Sequence, residues 1–191
     1  MNDSPLYLGF SRSTGGFFSR ALGWAIRKFT GGLVNHAFFL YRSEVAGCWM
    51  TLGANANGLS NLPLDDFLKD RAIVDLWLPR IGTFKTGIQA LHDKIGIGYD
   101  FSGLIGMSGV EILRRLGVTH PVNWIDDHHA LFCSEYCAMA IMKSALSAGA
   151  NDLKIKIGQM RANTIDPATL DSMIADSHAF AHYSLAEATA R

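Results

Sequence analysis

Phe132-Cys133-Ser134-Glu135-Tyr136 places a thiol where a polar, helix-poor run (residues 119–129) gives way to a segment rich in helix formers that continues to Gly149. In the first turn of a helix a cysteine lies beside unpaired backbone N–H groups and the positive end of the helix dipole. Both favour thiolate and pull the pKa below the free-cysteine value of about 8.5. The same N–H groups can hold the oxyanion that develops on an attacked carbonyl. Cys133 is therefore the candidate nucleophile, and a buried structural cysteine is the competing reading. Cys137 falls one helical turn further on, on the same face, and reads as core. Cys48 heads an apolar stretch and reads as structural too.

A thiol nucleophile needs a base. His36 is a lone imidazole in Leu33-Val34-Asn35-His36-Ala37-Phe38-Phe39-Leu40-Tyr41, just after Gly31-Gly32. Taken alone it could be a core histidine held by a hydrogen bond; as a base it must meet Cys133 in space. His92, His120, His178 and His182 are weaker candidates. Asp126-Asp127-His128-His129 lacks the i, i+4 spacing that converges side chains on one ion, and no second cysteine pair completes a zinc site. The sequence calls for no metal and no cofactor.

These residues need a scaffold, and the composition allows one. The chain has 191 residues, 49% of them hydrophobic and 18% charged, which suits one globular domain spanning residues 1–191. Seventeen basic residues balance seventeen acidic ones, against the basic footprint of a nucleic-acid binder. Three cysteines, an odd and sparse count, fit a reducing compartment better than a disulfide framework. The N-terminus has no basic n-region, and the best apolar helix lies between Arg20 and Arg27, too short to span a bilayer. The expectation is a protein without a transmembrane segment or signal peptide, cytoplasmic as synthesised.

After a short apolar run at 6–10, apolar patterning predicts strands at 33–41, 47–52 and 72–78, with a hairpin loop between the first and second of these and a turn at Asn55-Ala56-Asn57-Gly58. Helices are predicted at 17–29, 83–95 and 104–116, as a short turn at 64–69, after Cys133, and at 166–175, followed by a short strand at 180–183. The fold class that follows is α+β, with the strands concentrated in the first half.

Val34-Asn35-His36-Ala37-Phe38-Phe39-Leu40, then Gly98-Tyr99-Asp100-Phe101-Ser102-Gly103-Leu104, then Phe132-Cys133-Ser134-Glu135 together resemble the circularly permuted branch of the NlpC-type, papain-like cysteine hydrolases. The order, histidine before cysteine, carries the resemblance, which covers about residues 6–170. In the unpermuted branch the thiol stands where this chain has Phe101. The lecithin–retinol acyltransferase-like proteins are more distant, because Ser134 and Tyr136 depart from their nucleophile motif. The resemblance implies a permuted papain-like domain, a small antiparallel sheet or barrel packed against helices, with Cys133 as nucleophile and His36 as base. It also implies a polar third residue on the strand after the histidine strand. No acid lies there, so Thr51 and Asn55 are the two candidates to orient the imidazole. Tyr99 is expected to line the substrate pocket, and Glu135 to serve the helix dipole.

Three functions compete on this reading. The first is an amide hydrolase acting through a thioester on a peptidoglycan stem peptide or related small peptide. The second is a lipid or N-acyl hydrolase or transferase with the same chemistry. The third is a catalytically idle virion or assembly module. For a phage protein, lysis or carriage in a virion would replace a signal peptide. The expected partner is a peptide or acyl substrate; the sequence sets no oligomeric state.

Overall fold

The computed structural model describes residues 4–15, 24, 28, 31–55, 58–91, 133–160 and 164–190. Eight strands are found there: β1 (Leu6–Ser13), β2 (His36–Ser43), β3 (Cys48–Asn55), β4 (Gly58–Pro63), β5 (Arg71–Pro79), β6 (Gly82–Thr83), β7 (Ala145–Leu146) and β8 (Phe180–Tyr183). The helices are α1 (Leu64–Leu68), α2 (Lys85–Gln89), α3 (Cys133–Lys143), α4 (Asn151–Met160), α5 (Pro167–Ala175) and α6 (Leu185–Thr189). No helix among the described residues is long and apolar enough to cross a membrane.

Six strands form one sheet in the order β4-β3-β2-β1-β5-β8, every neighbouring pair antiparallel. The architecture is α+β, and among the described residues the sheet is open, with β4 and β8 at its edges. The central strands explain their own sequences. Leu6 to Phe10 and His36 to Leu40 are buried without a break, because helices cover both faces and neither face needs polar residues.

The two faces carry separate cores. On one, Leu8, Phe10, Ala37 and Phe39 pack with Tyr136 and Ile141 of α3 and with residues of α4 and α5. On the other, Tyr7, Phe38, Leu40 and Leu76 pack under Phe67 of α1 and Ala188 of α6. Between β1 and β5 the register shifts at Phe10/Ser11: their partners are Asp75 and Ile73, so Val74 is the extra residue of a bulge.

The segment after Cys133 departs from expectation. The helix stops at Lys143 instead of running to Gly149. The Ser144 hydroxyl donates back to the Ala140 carbonyl (2.6 Å), and the Ala145 N–H is taken by Thr86 Oγ1 of α2 (2.8 Å). That frees Ala145–Leu146 to pair with β6. Pairing with a distant strand overrides local helix propensity here, and α4 then starts afresh. β4, for which only the turn before it was expected, is a full edge strand. The helix at 166–175 is found, with Asp166 as its N-cap accepting from the Ala168 and Thr169 N–H groups. Of the expected helix at 17–29, Trp24 and Lys28 are described and helical, the Lys28 ammonium lying 4.7 Å from the Trp24 ring centroid. The expected helix at 104–116 lies outside the described residues.

Candidate functional site

Cys133 opens α3, which lies across β2 and β3. Its side chain is buried in the core formed with Ala37 and Phe39. Cys137, one turn on, is buried beside it. Burial first, and then the charge of Cys133, raises the Cys137 pKa well above the ordinary thiol value, so that thiol keeps its proton. Of the two cysteines on this helix face, only Cys133 has the helix start within reach. Burial likewise raises the Tyr136 phenol, which is edge-on to Phe39 at 6.1 Å. The Ser134 and Tyr136 hydroxyls are buried without a hydrogen-bond partner among the described residues.

His36 opens β2, and the period of two along a strand decides where its ring goes. Ala37 and Phe39 belong to the Cys133 core, whereas Phe38 and Leu40 belong to the opposite one. The His36 imidazole follows Phe38, stacking on it with centroids 6.1 Å apart and planes 13° apart, and lies 6.0 Å from the Phe67 ring of α1. Two glycines make this packing possible. A Cβ at Gly9 would come within 2.4 Å of the Phe38 ring, and one at Gly53 would sit 3.1 Å from Phe38 Cβ and 3.4 Å from His36 Nε2. Burial, with the nearby Arg71 guanidinium adding to it, holds the His36 pKa well below 6.5, so the imidazole is neutral. Arg71 itself lies over Phe67, 5.7 Å from the ring centroid.

The structure therefore does not bring the expected nucleophile and base together: Cys133 and His36 face opposite sides of the sheet. The described contacts of His36 are to Phe38, Phe67, Gly53 and Arg71, and Cys133 is not among them. Thr51, opposite Leu40 in the ladder, shares the His36 face. Its hydroxyl donates to the Leu62 carbonyl of β4 (3.2 Å), and among the described residues no hydrogen bond joins it to His36. Asn55 ends β3 opposite Gly58; its side chain lies outside the described set. Tyr99, Phe101 and the rest of the 98–104 motif lie outside the described residues, as does Asp126-Asp127-His128-His129. Among the described residues no group of three or more histidine, cysteine or carboxylate side chains could hold a metal ion.

Two neighbours of His36 were not singled out by sequence. Ser11 lies directly opposite it on β1, fully buried, with a hydroxyl that finds no partner among the described residues. Asn35 anchors the start of β2, its amide oxygen accepting from the Ser13 N–H (3.2 Å). Asn35 lies within the Val34–Leu40 motif without a role assigned to it, and Ser11 has no motif, so only the strand register reveals it. Compared with family models, with curated proteins and with solved structures, the chain matches none.

Proposed function

We propose that this chain is a cysteine hydrolase built on Cys133, cleaving an amide bond of a peptidoglycan stem peptide or a related small peptide through a thioester. The observation that carries this reading is the position of the thiol: the first turn of an α-helix laid over the central strands of an antiparallel sheet. In the reaction the Cys133 thiolate attacks the carbonyl carbon, and helix-start N–H groups hold the oxyanion. The C–N bond breaks as the leaving amine takes a proton. Water then cleaves the thioester and restores the thiol. Burial, which raises the Cys137 pKa, counts against that thiol as nucleophile and so supports Cys133.

The role of His36 as base is supported by the sequence resemblance alone. Its packing favours a second reading, a module that keeps the fold without the chemistry, since a neutral imidazole between Phe38 and Phe67 neither orients nor deprotonates a thiol on the other face.

Incubation of the wild type and of Cys133→Ala with muropeptides and with acyl esters tests both. Amide cleavage lost in Cys133→Ala supports the hydrolase. Ester cleavage alone moves the substrate class to lipids or N-acyl compounds, and no turnover on either supports the idle module. His36→Ala reads the base: a loss of about 10²–10⁴-fold marks general acid–base catalysis.

A further inference from the structure

Away from the cysteine, β5, β8 and α5 bring together four side chains that the proposed chemistry does not use. The Asp171 carboxyl of α5 accepts a hydrogen bond from the Trp77 indole N–H of β5 (2.9 Å). Asp75, two residues before Trp77, bonds to the Asp171 carboxyl and lies 2.8 Å from His182 Nε2 of β8. His182 is directly opposite Trp77 in the ladder, and the two rings lie 4.8 Å apart. A hydrogen bond between two carboxyl groups requires one of them to keep its proton, so the Asp75–Asp171 link exists with a proton on.

We propose that Asp75, Asp171 and Trp77, with His182 beside them, form a proton-operated clasp that fastens α5 to the β5–β8 edge of the sheet and loosens on deprotonation. β8 is also joined to β5 by the backbone ladder from Leu76–Tyr183 to Pro79–Phe180, whereas α5 is held otherwise by apolar packing, with Leu170 and Ile174 entering the same core as α3. Among the described residues the charged groups acting on Asp171 are Asp75 from β5 and His182 from β8; of α3, neither Glu135 nor Lys143 is among them. Burial, and after it the charge of Asp75 and the bond to it, outweigh the Trp77 hydrogen bond and the His182 charge and push the Asp171 pKa up to about 7.

The sign follows. The docked state holds the Asp171 proton more tightly than an opened segment, whose carboxyl returns to the ordinary value of about 3.9. Docking is therefore strongest at low pH, weakens as pH rises through the interval between those two values, and levels off above the docked pKa. Because α5 also packs against α3, opening removes part of the support behind the helix that carries Cys133.

Hydrogen exchange on the full chain, corrected for the intrinsic rate at each pH, tests the clasp. Between about pH 5.5 and about pH 8, protection of α5 amides should fall about tenfold or more, while that of β2 and β3 stays level. Asp171→Asn keeps an acceptor for Trp77 and supplies a permanent donor to Asp75. It should show the tight, low-pH protection at both pH values. In wild type, the Asp171 carboxyl carbon followed by NMR should titrate near neutrality. Level wild-type protection, an Asp171→Asn variant with unchanged pH dependence, or a carboxyl that titrates near 4 would each overturn the proposal; the NMR titration decides it even if the variant does not fold.

Discussion

The His36 imidazole stacks on Phe38, two residues along the same strand, and this contact turns it away from Cys133. A ring so packed is a stability element whatever else it does. Its lowered pKa means that the unfolded chain binds a proton more readily than the folded one. Stability contributed by neutral His36 is thus fully present above about pH 6.5 and is lost as pH falls from there toward the folded pKa. Urea denaturation across pH should show a midpoint that drops on acidification below about pH 6.5. In His36→Leu that part of the drop should disappear; an identical pH profile in the variant would remove His36 from the account of acid sensitivity.

Gly9 tests the same packing from below. Alanine there meets the Phe38 ring at 2.4 Å, so the ring must leave its place beneath Phe67, at a cost of about 1–3 kcal/mol as for other overpacked cores. At Gly149 the nearest atom to an added Cβ is 3.6 Å away, and Gly149→Ala should stay within about 0.5 kcal/mol of wild type. Equal midpoints for the two variants would contradict the close approach.

Asp166 caps α5 through the Ala168 and Thr169 N–H groups at 2.9 and 3.0 Å and also accepts from the Thr169 hydroxyl. Asp166→Ala should cost about 0.5–2 kcal/mol, with Asp166→Asn closer to wild type because the amide oxygen still accepts. Thermal or chemical denaturation of the pair checks this.

Much of the fold is legible in the sequence because it rests on local patterns: the apolar runs of β1, β2 and β5, the Asp166-Pro167 helix start, and the short strand at 180–183 all stand where expected. What local pattern cannot carry is pairing between distant segments. The stop of α3 at Lys143 depends on β6 and on Thr86, more than fifty residues earlier. The face of His36 is a matter of one-residue register within a strand buried on both sides, where every residue is apolar enough for either face. A run such as His36-Ala37-Phe38-Phe39-Leu40 has no alternation to read. The Asp75–Asp171–His182 cluster joins three elements with no motif among them.

The most direct measurement is the rate at which each cysteine of the wild-type chain is alkylated by iodoacetamide as pH is varied, with the modified residue located in each sample. The account predicts that Cys133 reacts at a pH well below the free-thiol value of about 8.5, while Cys137 stays unmodified throughout, its proton held by burial. A Cys133 that reacts no sooner than a free thiol, or a Cys137 that reacts before it, contradicts the assignment of Cys133 as an activated nucleophile.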